Sequence, residues 1–184
     1  MNDLPKRKQI RLRDYDYSQN GAYFITVCVD EWHKIFWNTT SERVGAHSAL
    51  RKCPADIFSQ APLRVSRPPL SDIGLVVEKA INNIPQIYSS VILDKYVIMP
   101  NHIHMIIRID DDRGRTMSAP TNQNITISRI IKQCKEFVTK QIGFSPWQRS
   151  FHDHIIRNEE DYLKIWQYID ENPAKWTEDR YYKP

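Results

Sequence analysis

Two histidines spaced two residues apart are the side chains of this 184-residue chain best placed for metal chemistry. Successive side chains of an extended strand point to opposite faces, so His102 and His104 would share one face, about 6–7 Å apart. Two imidazoles on one face can bind one metal ion. A pair of half-buried strand histidines without a ligand gives the same pattern, and the triplet alone does not separate the two hypotheses.

A tyrosine and an asparagine lie one turn apart on a predicted helix that begins after Asn158. The core stripe of this helix is Tyr162, Ile165, Trp166 and Ile169. At about 100° per residue, Asp161, Tyr168 and Asn172 fall within about 40° of one another beside that stripe. Pro173 disfavours helical backbone at Asn172. The pattern predicts a phenol and an amide oxygen on the flank of a packed helix, with an ordinary surface tyrosine as the alternative.

Joined together, these two patterns indicate phosphodiester chemistry. Two imidazoles and an amide oxygen could bind one divalent cation and leave positions open for phosphate oxygens. Such a mixed nitrogen and oxygen set suits Mg²⁺ or Mn²⁺ better than a closed structural zinc site. The cation would polarise a phosphodiester and Tyr168 would attack it. A free phenol has a pKa near 10, so it needs the cation or a base to react at neutral pH.

The elements that must position these residues follow a regular order. Strands are predicted at residues 21–29, 91–99, 102–109 and up to 156, with helices at 71–85, 127–142 and 158–172. This is the split βαβ, ferredoxin-like plan of the α+β class: an antiparallel four-stranded sheet with helices on one face, plus a C-terminal helix carrying the tyrosine. We expect a single domain over residues 1–184. Residues 38–70 have scattered prolines and no sustained period, which predicts an insertion or long loop.

Composition restricts the functional class only loosely. Hydrophobic content of 41% and charged content of 26% are ordinary for a soluble globular protein. The sequence has no apolar run of about 18 residues and no signal-peptide core, so we expect a cytoplasmic protein. The widely separated Cys28, Cys53 and Cys134 indicate reduced thiols. A net charge of +4 permits a nucleic-acid partner.

Three sequence blocks occur in an order that resembles a known family. They are Tyr96-Val-Ile-Met-Pro-Asn-His-Ile-His, Trp147-Gln-Arg-Ser-Phe-His-Asp-His-Ile-Ile-Arg-Asn and Tyr168-Ile-Asp-Glu-Asn-Pro. In this order they resemble the HUH single-tyrosine transposases, in particular the REP-associated tyrosine transposases. The resemblance runs from about Asp14 to Trp176 and leaves residues 38–70 unmatched.

The resemblance implies a role for each matched residue. His102 and His104 would be metal ligands, Tyr168 the nucleophile, and Asn172 the third ligand, at a position where related transposases often have glutamine. The implied activity is that of a metal-dependent single-strand DNA endonuclease and strand transferase, a transposase that forms a 5′-phosphotyrosine intermediate on hairpin-forming DNA. The implied cofactor is Mg²⁺ or Mn²⁺. The protein would act on single-stranded or hairpin DNA as a monomer or homodimer, without a membrane partner.

Further residues are candidates for supporting roles. Candidate phosphate contacts are Lys6, Arg7, Lys8, Arg11, Arg13, Arg149 and Arg157. The first five form a basic arm, residues 6–13, for which a solvated tail is the alternative. Asp161, His152 and His154 are candidates for supporting the metal ligands or contacting DNA, and a structural role is the alternative for the two histidines.

Two other functions fit parts of the sequence. The first is a catalytically silent, sequence-specific DNA-binding protein derived from a transposase. The intact set of two histidines, a tyrosine and an asparagine argues against it. The second is a single-stranded RNA binder on an RRM-like sheet, which would carry stacking aromatics on its central strands. The third predicted strand has His102 and His104 at those positions instead.

Overall fold

The computed structural model describes residues 15–38, 69–110 and 125–183. Its strands are β1 Gly21–Cys28, β2 Val91–Ile98, β3 His102–Ile109 and β4 His152–Ile156. Its α-helices are α1 Asp72–Asn82, the short α2 Ile84–Ile87, α3 Ile127–Ile142 and α4 Glu159–Glu171. The strands form one antiparallel sheet in the order β2-β3-β1-β4. This confirms the predicted α+β, ferredoxin-like plan.

The helix ends lie close to where the capping residues predict them. The Ser71 hydroxyl accepts a hydrogen bond from the Gly74 amide (3.0 Å), and Asn158 Oδ1 accepts one from the Asp161 amide (2.8 Å). Side-chain oxygens at these positions bind amides that have no partner within the helix. Gly143 ends α3 with φ of 84°, a left-handed conformation that glycine adopts without strain. Local sequence therefore decides where α1, α3 and α4 begin or end.

The two faces of the sheet are covered by different helices. Met105 and Ile107 of β3 pack in the larger core, which also contains buried residues of α1 and α3. Ile106 packs on the opposite face with Ile169 of α4. Because side chains alternate along a strand, His102 and His104 are on the same side as Ile106. The histidines thus face the helix that carries Tyr168.

The ends of the predicted insertion lie side by side. Trp37 pairs with Leu70 in an antiparallel bridge, and the Asn38 amide donates to the Pro69 carbonyl (2.9 Å). We call these paired residues, 37–38 and 69–70, the neck. Residues 39–68, which make up most of the insertion, lie outside the described residues, as does the whole basic arm. In the described parts of the chain, no helix has both the length and the apolar character needed to cross a membrane.

Candidate active site

His102 and His104 are fully buried beneath the C-terminal residues, with 0% and 1% of their surface exposed. Their Nε2 atoms lie 3.0 Å apart. Two nitrogens bound at right angles to one ion, each at about 2.1 Å, would be separated by about 3.0 Å. The spacing therefore fits two adjacent positions of an octahedral metal site. The alternative of half-buried strand histidines does not describe this pair.

Asn101 determines which nitrogen of His102 carries the proton. Its Nδ2 donates to the Tyr181 carbonyl (2.9 Å), which leaves Oδ1 as the atom facing His102 Nδ1 (2.8 Å). An amide oxygen can only accept, so Nδ1 is protonated and Nε2 has a free lone pair. Hydrogen bonds of this kind orient metal-binding histidines.

Thr26 of β1 makes the corresponding contact with His104, which it faces in the sheet register. Its Oγ1 lies 2.8 Å from His104 Nδ1. A hydroxyl can donate or accept, so Thr26 can support either neutral tautomer of His104. In the tautomer with its proton on Nδ1, His104 has a lone pair on Nε2 for a metal.

Burial keeps both imidazoles neutral. It lowers the pKa of His102 to about 4, with the charge of Arg180 adding to the effect and that of Asp179 opposing it. Burial, then His102 and Arg180, lower the pKa of His104 well below its ordinary value. Charged groups are disfavoured where water is excluded. Both rings can therefore offer lone pairs at neutral pH.

Tyr168 projects from the flank of α4 with 40% of its surface exposed. Its hydroxyl lies 3.2 Å from His104 Nε2 and donates to Asp179 Oδ2 at 3.2 Å. Burial of the hydroxyl, followed by the negative charge of Asp179, raises the pKa of Tyr168 above its ordinary value of 10. The phenol is therefore protonated at neutral pH and needs a positive charge nearby to become a nucleophile.

Asn172 lies one turn beyond Tyr168 and is buried (4% exposed). The residue keeps helical φ and ψ of −54° and −43°, contrary to the expectation from Pro173, because its amide bonds the Tyr168 carbonyl (3.0 Å) and continues the helix. Its Nδ2 donates to Asp179 Oδ2 (2.8 Å). Its Oδ1 is buried and has no hydrogen-bond partner among the described residues. A buried oxygen without a hydrogen-bond partner is suited to bind a metal ion.

Asp179 is a site residue that the sequence did not reveal. It follows a 3₁₀ turn at Trp176–Glu178, eleven residues beyond Tyr168. Ligand atoms of His102, His104 and Asp179 all lie within 4.8 Å of one another. Two imidazole nitrogens, a carboxylate and the unsatisfied oxygen of Asn172 make a donor set that fits a divalent ion such as Mn²⁺.

The C-terminal residues also supply an aromatic cover. Tyr181 is buried, and its ring lies 4.7 Å from that of His102. The Trp176 ring lies 5.9 Å from His102 on another side, and Phe24 stacks on His104 at 5.1 Å. This cover excludes water from the histidines, which strengthens electrostatic interactions inside the site.

The supporting candidates occupy two separate places. His154 Nε2 and Asp161 Oδ2 form a contact of 2.7 Å that links β4 to the first turn of α4. His152 is exposed, and its ring lies 6.5 Å from Tyr181. In the register, His152 and His154 face Thr26 and Phe24, so they share the face of the sheet that bears the site.

Two of the candidate DNA contacts lie within the residues that the structure describes. Arg149 and Arg157 are exposed. Arg149 lines a groove beside α3 together with Lys132 and Lys140, on the other side of the sheet. Lys6, Arg7, Lys8, Arg11 and Arg13 lie outside the described residues.

Comparisons with known proteins give a family relationship. No family model matches the sequence. A Haemophilus influenzae protein described as "Uncharacterized protein" is 31% identical over 191 residues, which cover 96% of this chain and 93% of that protein. A second protein of that organism, "Putative REP-associated tyrosine transposase", is 30% identical over 83 residues, covering 42% of this chain and 47% of that protein. The chain belongs to one family with the first protein and is a relative of the REP-associated tyrosine transposases.

A solved structure has the same fold. It is a REP-associated tyrosine transposase bound to a REP hairpin, with a TM-score of 0.54 and 20% sequence identity. The match covers 90% of this chain and 73% of the other. The TM-score shows that the fold described above is shared with that structure.

Proposed function

We propose that this chain is a metal-dependent single-strand DNA endonuclease and strand transferase that uses Tyr168 as its nucleophile. One observation carries the proposal: the Tyr168 hydroxyl lies 3.2 Å from Nε2 of His104, beside the cluster of candidate metal ligands. The proposed protein ligands are His102, His104 and Asn172, and the proposed ion is Mn²⁺ or Mg²⁺. This proximity supports the proposal that the Tyr168 oxygen attacks a phosphate polarised by the ion.

The chemistry requires a balanced exchange of phosphorus–oxygen bonds. When bound, the divalent ion would polarise the phosphodiester and favour loss of the phenol proton. The Tyr168 oxygen forms a bond to phosphorus, and the bond between phosphorus and the 3′ oxygen breaks. The 3′ oxygen takes up a proton and leaves as a hydroxyl. The phenol proton passes to water, while the Asp179 carboxylate orients the hydroxyl through the hydrogen bond that it accepts. Attack by a 3′-hydroxyl on the phosphotyrosine reverses these steps and reseals a strand.

We also propose hairpin-forming DNA as the substrate, because the solved relative is bound to a REP hairpin. The basic arm at residues 6–13 would contact phosphates. Each lost phosphate contact should reduce the slope of log affinity against log salt concentration by roughly 0.7–0.9. A protein lacking the arm should therefore show a shallower slope in hairpin-binding titrations, and an unchanged slope would remove the arm from the interface.

The activity is tested with a labelled single-stranded hairpin, Mn²⁺ and a denaturing gel. The full chain should cut the DNA and leave a covalent protein–DNA band, and excess EDTA should prevent both. His104→Ala should abolish cleavage, whereas replacement of the exposed His33 by alanine should not. Hairpin binding without cleavage by the unaltered chain would favour the silent DNA-binding alternative.

A further inference from the structure

Asp179 is held in one orientation within the site. Its Oδ1 accepts a hydrogen bond from the Tyr181 backbone amide (2.6 Å). Its Oδ2 accepts from Asn172 Nδ2 at 2.8 Å and from the Tyr168 hydroxyl at 3.2 Å. The hydrogen bond from the Tyr181 amide fixes the orientation of the carboxylate. It leaves Oδ2 beside the proposed metal ligands. A freely solvated aspartate would not have this arrangement.

Asp179 interacts electrostatically with the neighbouring Arg180, but the two residues do not form a close ion pair. No lysine or arginine among the described residues forms an ion pair with it within 4.0 Å. His102 and His104 beside it are buried. A partly buried carboxylate without a close ion-pair partner would be stabilised by a bound cation.

The buried amide of Asn172 adds a second, independent observation. Its Oδ1 has no hydrogen-bond partner among the described residues, while its Nδ2 is used on Asp179. The Asn172 side chain therefore binds the Asp179 carboxylate through Nδ2, while its Oδ1 still lacks a partner in the described part of the chain. A cation bound by His102, His104 and Asp179, whose ligand atoms lie within 4.8 Å of one another, would lie beside the Asn172 amide.

We propose that Asp179 is the anionic ligand of the divalent ion, in addition to His102, His104 and Asn172. This inference rests on the proposed function, because the ion is the one that would act on DNA. Four protein donors leave two positions of an octahedral ion for phosphate oxygens or water. A carboxylate beside two imidazoles also suits Mn²⁺, which accepts both oxygen and nitrogen ligands.

The direct test is Mn²⁺ affinity of the full chain, measured by calorimetric titration without DNA. Asp179→Asn keeps the size of the side chain but removes the charge and one of the two acceptor oxygens. It should weaken Mn²⁺ binding by about tenfold or more, since even loss of an outer partner of a ligand typically costs 10- to 100-fold. Glu178→Gln, at the exposed neighbouring position, removes the same charge and should leave the affinity unchanged.

A second variant is designed to bind a metal ion more tightly than the unaltered chain, a result that misfolding would not produce. Asp179→Cys replaces a hard oxygen by a soft thiolate, so it should bind Cd²⁺ more tightly than the unaltered chain and produce a sulfur-to-cadmium absorption band. Glu178→Cys should produce neither change. Circular dichroism and hairpin affinity confirm that each variant folds.

The outcomes separate this inference from the proposed function. Asp179→Asn with unaltered Mn²⁺ affinity, in a protein whose parent cuts DNA, overturns the ligand role and leaves the function standing. A parent that binds Mn²⁺ but cuts no hairpin overturns the function, while the comparison of affinities still decides the ligand role. A parent that binds no Mn²⁺ overturns both.

Discussion

Tyr162 and Tyr168 lie on the same helix, and one of them contacts the histidines. Tyr162 packs with Trp166 at a ring distance of 5.8 Å in the core between α4 and the sheet. The Tyr168 ring lies 5.2 Å from that of His104. Six residues along a helix turn the side chain by about 600°, so the two tyrosines point in different directions.

Substitution of each of these two tyrosines tests which one is the nucleophile. Tyr168→Phe should eliminate the covalent protein–DNA band, because the attacking oxygen is removed. It should lower the free energy of unfolding by only about 1 kcal/mol or less, since a partly exposed hydroxyl contributes little. Tyr162→Phe should retain the band. A band formed by Tyr168→Phe would place the nucleophile elsewhere.

Asn101 allows a test of how the metal ligands are oriented. Asn101→Leu has a similar size but loses the acceptor for His102 Nδ1 and the donor to the Tyr181 carbonyl. We expect Mn²⁺ affinity to fall by about 10- to 100-fold. The matched control is Asn82→Leu, at an exposed position on α1. Equal affinities of the two variants would show that the ring of His102 is oriented without Asn101.

At the scale of elements, α4 is fixed to the sheet by a buried ion pair. Lys95 of β2 has 3% of its side chain exposed, and its Nζ lies 2.5 Å from Asp170 Oδ1 and 4.2 Å from the centre of the Trp166 ring. Asp170 is two residues from Tyr168 and has 37% of its side chain exposed. The pair therefore sets the position of the helix that carries the nucleophile.

The two partners of this ion pair should not be equally important for stability. Asp170→Asn leaves a buried ammonium without the charge of Asp170, whereas Lys95→Met leaves a carboxylate that water can reach. Urea unfolding should therefore show a larger loss for Asp170→Asn, of the order of 2 kcal/mol or more. Glu160→Gln, which removes an exposed pair with Lys164 on the same helix, should have a much smaller effect, because exposed ion pairs contribute little to stability. Equal losses for Asp170→Asn and Glu160→Gln would contradict this view of α4.

The elements were predictable where local chemistry decides them. The end of α3 at Gly143 and the start of α4 after Asn158 follow from capping residues, and the β2–β3 turn follows from Pro100-Asn101. The partners of the histidines were not predictable. Thr26 meets His104 only because of the strand register, which hydrophobic patterns do not determine between separate segments. Asp179 lies in an irregular segment with no periodicity, so its sequence position contains no signal of its approach to the site.

At the scale of the whole molecule, the buried histidines make stability depend on pH. In the folded protein the pKa of His102 is lowered to about 4, and that of His104 is also well below 6.5. Below pH 6.5 the unfolded chain binds protons at these residues and the folded chain does not. The stability that comes from keeping them neutral is therefore fully present above about pH 6.5 and is lost as pH falls towards 4.

Urea unfolding in EDTA at pH 7, 6 and 5 measures this dependence. The free energy of unfolding should fall with decreasing pH by up to about 1.4 kcal/mol per pH unit for each histidine. The double variant His102→Gln/His104→Gln should show a shallower dependence, and His33→Gln should retain that of the parent. A slope that is unchanged in the double variant would assign the pH dependence to other groups.

Because the neck holds the two ends of residues 39–68 together, the length of this segment can change without altering the sheet. Trp37 attaches the neck to β2, because its Nε1 donates to the Ile98 carbonyl (2.8 Å). Beside the neck, the Ser71 hydroxyl donates to the Ile35 carbonyl (2.6 Å), which joins the two sides of the chain. When the ends of a segment are held together, each doubling of its length costs only about 0.6 kcal/mol. Evolution can therefore lengthen, shorten or exchange the sequence between the two sides while the histidines keep their surroundings. For the same reason, the neck is a suitable place to graft a fluorescent reporter onto this protein.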